Sequence, residues 1–339
     1  MINKKHFGKR ISDFRRRIPL SQAELAEKMG ASAQAVSKWE TGMALPDVEL
    51  LLELSGLCGV SVNELLLDNA LLARLSGRSF ETRNGIAYFV PGSEEKEWAR
   101  EMREEGWIER NWRDAWDQPG GWAESKYGGS RLMERSRPDN LRVGRKIAER
   151  GGIILEIGTG PGGGYMPFIL QAAPASQIIL SDLSHTVVEE WKCFLDRELD
   201  SPYLRYAVLD FCEILFGDCT VDVVSDHGGI INCIGDRSAT LREVYRVLKP
   251  GGLLVSLNGF VTREALAALP EHAQQELLDK YPEAFDNLYE DTVLAGFQKI
   301  DSVVQGVWYT GEDDSGIADL ARKLGVNVPF TEYVRFCEK

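Results

Sequence analysis

"ILEIGTGPGGG", residues 154–164, decides what this chain is, and its glycines can be read in two registers. Gly158, Gly160 and Gly163 satisfy G-x-G-x-x-G, the fingerprint of a loop that sets a dinucleotide pyrophosphate on the N–H groups of a helix start. Glu156, Gly158, Gly160 and Gly162 instead form an acidic residue followed by glycines at alternate positions. Two features weigh against the pyrophosphate. Pro161 removes an N–H donor from the middle of the loop. Glu156 would bring negative charge to the phosphates, whereas a cationic group would be indifferent to it or favoured by it.

From Gly152 onward, apolar β-rich runs alternate with helical ones: IILEI, YMPFILQAA, IILSD, TVVEEWKCFLDREL, LRYAVLDF, VDVVSD, DRSATLREVYRVL and GLLVSLNG. Such alternation predicts a doubly wound, mainly parallel sheet with helices on both faces. Ligands of these sheets bind beyond the carboxyl ends of the strands, which is where the glycine loop lies. Asp182 ends ISD, Asp210 ends AVLD, and RVLKPGGLLVS leads into a fifth strand. With the glycine loop, these runs resemble the class I S-adenosylmethionine-dependent methyltransferases over residues 140–260, with weaker motifs to 339.

The resemblance implies a Rossmann-like α/β domain with S-adenosylmethionine as cofactor. Gly158 and Gly160, with Gly162 in the same loop, would let the backbone approach the methionyl and ribose portion. Glu156 would orient the ligand's amino group, Asp182 beside Leu183 would accept the ribose hydroxyls, and Asp210 with the backbone of Phe211 would read the adenine edge. The stretch Asp226-His227-Gly228-Gly229 would face the transferred methyl, which makes Asp226 and His227 the candidate catalytic residues. The ordinary pKa of His227 suits taking a proton near neutral pH, although aligning the reactants supplies most of the rate in such a displacement. Neither the Asn/Asp-Pro-Pro-aromatic motif of DNA aminomethyltransferases nor the Pro-Cys pairing of cytosine C5 enzymes occurs here, and Cys233 has no adjacent proline. A small-molecule acceptor is expected.

The N-terminal segment has another period. FGKRISDFRRRI, QAELAEKM, AQAVSKWE, DVELLLELSGLC and NELLL predict five short amphipathic helices. Ser21 and Glu24 have capping-box spacing, Gly30 ends the second helix, Ser32 caps the third, and Gly42 with Pro46 closes it. The stretch SQAELAEKMGASAQAVSKWETGMALP resembles the lambda-repressor-like helix-turn-helix family, over residues 5–68. That resemblance implies a third helix in the major groove of duplex DNA. Gln34, Ser37 and Lys38 would share its outer face, Ser32 would start it, and Gln22 would bind phosphate. Arg15 and Glu40 would form an internal ion pair, and a homodimer is expected to span two half-sites.

Charge placement bears on partners. Residues 1–68 carry equal numbers of acidic and basic side chains, so the whole net charge of −13 resides in the rest of the chain. An acidic body repels nucleic acid, so DNA contact is expected only through residues 1–68. There is no long apolar run and no signal-like start, which predicts a cytoplasmic protein without a membrane span. The six scattered cysteines predict reduced thiols rather than a metal site.

Between the two regions, residues 69–139 read as a connector. Trp98, Trp107, Trp112, Trp116 and Trp122 crowd into it, and they would either dock it on the following domain or close as an aromatic lid over substrate. The chain thus divides into a DNA-binding domain at 1–68, the Trp-rich connector or lid, and a methyltransferase domain at 140–339. Its expected function is DNA-directed regulation joined to methylation of a small molecule. The alternative is a non-catalytic regulator that senses a ligand through the same fold.

Overall fold

In the computed structural model the described residues are 2–91, 97–109, 112, 130–199, 201–231, 236–285, 288–312 and 316–339. Five helices come first: α1 (Lys4–Arg17), α2 (Gln22–Lys28), α3 (Ala33–Glu40), α4 (Val48–Cys58) and α5 (Val62–Leu66). Their ends follow the sequence signals. The Ser21 hydroxyl accepts from Glu24 N at 3.1 Å while Glu24 Oε2 accepts from Ser21 N at 2.7 Å, and Ser32 Oγ accepts from Ala35 N at 3.1 Å. Each such cap satisfies N–H groups the helix itself cannot, worth about 1 kcal/mol. Phe7, Ile11, Leu25, Val36, Trp39 and Leu54 form the small core. At Gly8 α1 lies against the α3 backbone so closely that a Cβ would overlap the carbonyl oxygens of Trp39 and Glu40.

The remainder is built on one nine-stranded sheet in the order β1-β2-β5-β4-β3-β6-β7-β9-β8. Its centre is parallel: β3 (Ile153–Ile157), β4 (Gln177–Asp182), β5 (Leu204–Val208), β6 (Val221–His227) and β7 (Leu248–Phe260). β8 (Lys299–Tyr309) and β9 (Pro329–Glu338) close one edge antiparallel. β3 is buried along its whole length because helices cover both faces. On one face lie α7 (Glu97–Glu105), α8 (Ser130–Arg150), α9 (Met166–Ala172) and α10 (His185–Glu198), which bury Met102, Ile147, Phe168 and Trp191. On the other, α11 (Arg237–Val247) buries Leu241 and Val244. α12 (Arg263–Ala267), α13 (Glu271–Lys280), α14 (Tyr289–Leu294) and α15 (Gly316–Leu324) follow β7, and α12, α13 and α15 share a satellite core with Val261 and Phe330.

The expected division at 69–139 is corrected here. Helix α6 (Ala70–Ser76) buries Leu71, Leu72 and Leu75 in the same core as Leu155 and Val224. The hairpin of β1 (Glu81–Arg83) and β2 (Ile86–Tyr88) extends the sheet, with β2 parallel to β5. The boundary at 139/140 falls inside the continuous helix α8. Residues 70–88 therefore belong to the α/β body, because burying three leucines contributes several kcal/mol that a free connector would forgo. Trp107 and Trp112 are buried, and the Trp112 ring stands edge-on to Trp191 and Phe194 of α10 at 6.4 and 5.7 Å. These two rings dock their segment, while Trp116, Trp122 and the side chain of Trp98 lie outside what is described.

The helical domain meets the sheet at the amino end of β5. Arg10 is 7% exposed and donates to Leu65 O at 2.9 Å, to the Asp68 carboxylate, and across the junction to Pro202 O at 3.2 Å. Tyr203 OH donates to Asp13 Oδ2 at 2.8 Å. The guanidinium and His6 hold the Asp68 carboxyl below the usual carboxylate range in spite of burial. Arg10→Ala leaves Asp68 with His6 and takes the guanidinium donor from Leu65 O, while Pro202 O keeps Arg205 Nη1, so it should cost about 2–3 kcal/mol. Urea denaturation checks this: residues 1–68 should melt before the body, and an unchanged single transition would remove the junction as a source of stability.

Candidate functional site

Glu156 sits on β3 with no solvent exposure, yet carries a carboxyl group. One oxygen accepts from Tyr165 N at 3.1 Å and the other from the Ser225 hydroxyl of β6. Burial pushes its pKa well above the usual range, which those hydrogen bonds only partly offset. It lies directly beneath the glycine loop: a Cβ on Gly164 would overlap Glu156 Oε1, and Gly164 has φ +55°. Its immediate work is thus to hold the loop from below, a role different from the expected contact with a ligand amino group.

Within the loop, Gly158, Gly160 and Gly163 also take positive φ, at 57°, 54° and 79°. Gly163 is pinned by Trp191, whose ring would meet a Cβ there at 2.8 Å and whose indole N–H donates to Gly160 O at 2.8 Å. Gly162 differs. Its φ is ordinary and a Cβ on it would meet no described protein atom within 4 Å. The glycines that the fold itself demands are therefore 158, 160, 163 and 164, and only a ligand would constrain 162.

At the neighbouring strand ends the remaining residues converge. Asp182 accepts from Gly160 N at 2.9 Å and from Ser184 N at 2.8 Å, so it clamps the loop to β4. Each oxygen keeps a further lone pair, and burial raises its pKa over the pull of those N–H groups. Leu209 N donates to Asp182 O, which brings the β5 end alongside. Asp210 Oδ1 accepts from Cys212 N at 2.8 Å, and the Phe211 ring comes within 3.5 Å of where a Cβ on Gly158 would stand. The glycine loop, Asp182 with Leu183, Asp210 and Phe211 thus come together at the carboxyl ends of β3, β4 and β5.

The two candidate catalytic residues come out differently. Asp226 is fully buried; Oδ2 accepts from Ser256 Oγ at 2.6 Å and Oδ1 from Ile230 N at 3.0 Å. Burial lifts it to about 6, and it serves to shape the Gly228–Ile230 turn rather than face an acceptor. His227 does face a cavity, with its ring edge-on to Tyr165 at 4.9 Å. Burial lowers its pKa to about 4, so it is neutral at pH 7 and a weak proton acceptor, which corrects its expected use as a base.

The cavity beside His227 has a volume of about 330 Å³ and is walled by Leu257, Tyr281, Trp308, Ile317 and Phe330. Glu332 of β9 also lines it. Desolvation pushes that carboxyl up to about 7. Sequence reasoning missed Glu332, Tyr165 and Ser225, since each becomes significant only through contacts with distant residues. It also found nothing in the acidic insertion after β8, which supplies Ile317 to the cavity wall. A signal for Glu332 did exist in the glycines of flanking runs, Gly259 and Gly306, but their alignment needs the sheet register.

On the helical domain, α3 exposes Gln34 and Lys38 and buries Val36 and Trp39. Ser37 is half-buried, and the Ser32 hydroxyl is occupied as the α3 cap. Arg15 pairs with Glu40 through Nε–Oε1 at 2.6 Å, and Gln22 Nε2 donates to Glu40 Oε2 at 2.8 Å. Gln22 is therefore tied into the scaffold pair, with one N–H left for any phosphate.

A family model for a methyltransferase domain matches residues 155–256, and a helix-turn-helix model matches residues 13–65. The chain joins a helix-turn-helix domain to a methyltransferase domain. Its methyltransferase domain is 35% identical over 119 residues to the ubiquinone/menaquinone biosynthesis C-methyltransferase UbiE of Geobacter sulfurreducens, covering 34% of this chain and 45% of that protein. The UbiE of Desulfotalea psychrophila is 32% identical over 107 residues, covering 32% and 41%. The chain spans less than half the length of these curated relatives. Among solved structures it is similar to Haemonchus contortus phosphoethanolamine N-methyltransferase 2, solved in complex with S-adenosyl-L-methionine. That similarity has a TM-score of 0.44 and 21% identity, over 60% of this chain and 52% of that one.

The glycine geometry makes a paired prediction. Gly164→Ala in the methyltransferase domain must displace the Glu156 carboxyl and strain a left-handed residue, and should cost more than about 2 kcal/mol. Gly162→Ala should leave stability within about 0.5 kcal/mol. Thermal melts of the two variants check it, and equal effects would mean that Glu156 does not support the loop.

Proposed function

We propose that the chain transfers a methyl group from S-adenosylmethionine to a small-molecule acceptor, and that residues 1–68 bind duplex DNA. The first half rests on one observation: the open glycine loop, the Asp182 carboxylate and the Phe211 ring share a cleft at the carboxyl ends of β3, β4 and β5. The residues fit the adenosyl ligand. Gly162 leaves the loop face open, Asp182 keeps lone pairs for ribose hydroxyls, and Phe211 offers an aromatic surface beside the loop. Among the described residues no Lys or Arg pairs with Glu156, Asp182 or Asp226, an arrangement suited to a cation and hostile to a pyrophosphate.

When bound, S-adenosylmethionine supplies an electrophilic methyl group on a positively charged sulfur that departs as a neutral thioether. The work of the protein is to hold and align. Glu156 and Asp182 fix the loop, Asp226 fixes the turn that carries Gly229, and the cavity beside His227 would receive the acceptor. Polymeric nucleic acid is a poor acceptor for this body, because the body carries the whole net charge of −13.

For DNA, the support is the exposed pair Gln34 and Lys38 on a capped α3, which a stable core does not require. Two copies would place their α3 helices about 34 Å apart, one turn of duplex. The docking of the helical domain on β5 favours a second reading, a sensor, in which a ligand in the cleft shifts DNA affinity. That reading expects cofactor binding without turnover and a coupling of about 1–3 kcal/mol between ligand and operator.

Two outcomes are expected. Asp182→Ala should weaken S-adenosylhomocysteine binding by about 2–3 kcal/mol, roughly 30- to 150-fold by titration calorimetry. Unchanged affinity, or tighter binding of NAD by the unaltered protein, would refute the cofactor. Replacing Gln34 or Lys38 by Ala should lower preference for a duplex selected from random sequence by about 1–3 kcal/mol, while no enrichment of any duplex at low salt would refute DNA binding.

A further inference from the structure

Glu332 stands out among the acids of the body because its sheet neighbours make room for it. In register it faces Gly259 on β7 and Gly306 on β8. A Cβ on Gly259 would stand 3.5 Å from Glu332 Cγ, and one on Gly306 would stand 3.9 Å from Oε2. Both distances are ordinary contact, so the two glycines flank the carboxylate without touching it and its place in the cavity is framed by three strands. Among the described residues no Lys or Arg pairs with it, and desolvation alone raises its pKa, to about 7.

The cavity around that carboxylate is aromatic and apolar. Trp308 and Phe330 stack at 4.3 Å, and Leu257 and Ile317 complete the wall. On the side toward the glycine loop stands His227, backed by Tyr165, whose buried hydroxyl has no hydrogen-bond partner among the described residues. We propose that the acceptor is an organic amine with an apolar or aromatic body, its nitrogen held by Glu332 and its body by Trp308 and Phe330. The proposal rests on the methyltransferase reading and names the substrate class for that same site.

The chemistry of the alternatives supports the choice. An anionic acceptor would be repelled by the Glu332 carboxylate at close range. A neutral, donor-free acceptor would remove water from the carboxylate and return nothing, which costs several kcal/mol. An ammonium group supplies both charge and N–H donors, and the aromatic wall favours a cation further. At about 330 Å³ the space admits a small metabolite, at the lower end of ligand cavities. Glu332 also serves the nitrogen chemically. One proton passes from the ammonium to the carboxylate, giving a neutral amine with its lone pair free and a carboxylic acid, with no change in total charge. His227 cannot take that proton as well, being held neutral and weakly basic by burial.

The test uses the full chain saturated with S-adenosylhomocysteine and three probes of matched shape: phenethylamine, 2-phenylethanol and 3-phenylpropionate. Calorimetry should give phenethylamine at least a tenfold advantage over 2-phenylethanol, and 3-phenylpropionate should show no binding. Glu332→Gln should erase the amine advantage and leave S-adenosylhomocysteine affinity unchanged, the latter doubling as the check that the variant folds. An alcohol bound as tightly as the amine, a preference that survives in the variant, or no probe bound at millimolar concentration overturns the proposal. The comparison of probes on the unaltered protein stands even if the variant misfolds. If S-adenosylhomocysteine itself does not bind, the methyltransferase reading fails instead, so the two failures are distinct.

Discussion

The buried carboxyl of Glu156 is the contact on which the site depends. It occupies the space that a side chain at Gly164 would need, accepts the N–H of Tyr165 as α9 begins, and takes the hydroxyl of Ser225 from β6. One side chain therefore sets the height of the glycine loop and ties β3 to β6. The next residue along β6, Asp226, does the same work one layer out, joining Ser256 of β7 to the turn at Ile230. That turn carries Gly229, whose Cα lies 3.0 Å from where a Cβ on Gly158 would stand. Two buried acids thus fix two loops against each other. Preorganisation of this kind is what an aligned displacement needs, because the protein has little bond chemistry of its own to perform.

Much of this was legible in the sequence where the signal is local. Ser21 with Glu24, Ser32 and Gly30 mark helix ends through hydrogen bonds and dihedrals that act within a few residues, and the structure places them as read. The strand and helix alternation is a period, and it predicts the mainly parallel sheet that the structure has, though not the order of its strands. The identity of the loop was legible because Pro161 and Glu156 each carry a physical consequence. What failed was whatever depended on distant partners. Residues 70–88 carry a local turn signal, Asn84-Gly85 between β1 and β2, but nothing local says which body they belong to; they join the α/β body because three leucines of α6 find a core with Leu155 and Val224, residues distant in sequence. The expected boundary at 139/140 had no local signal behind it, and helix α8 runs through it from Ser130 to Arg150. Gly162 matched a motif that the backbone does not enforce, whereas Gly164, which it does enforce, lay just outside it.

The same distinction explains the catalytic candidates. His227 was chosen for the pKa of a histidine in water, yet the strand end that presents it also strips it of water and lowers that pKa to about 4. A residue type states a capacity; the surroundings decide which protonation state is held. Glu332 shows the converse, an ordinary surface-type side chain on an edge-proximal strand made unusual by two glycines in other strands and by aromatic neighbours.

Taken together, Glu156, Asp182, Asp226 and Glu332 form a ring of acids around the cleft and the cavity beside it, each raised by burial and none paired with Lys or Arg among the described residues. Evenly apolar residues at those positions would give a more stable protein, since an unpaired buried acid either stays charged at a cost or takes up a proton. The arrangement favours positive charge at the mouth of the sheet without placing a fixed cation there. On the proposed reading the two reactants both bring that charge, a sulfonium in the cleft and an ammonium in the cavity, and would repel each other in a neutral site. Glu332, while ionised, offsets that repulsion in the ground state. Moving one proton to Glu332 then removes the positive charge from the nucleophile, so that the repulsion is gone when the amine lone pair is free.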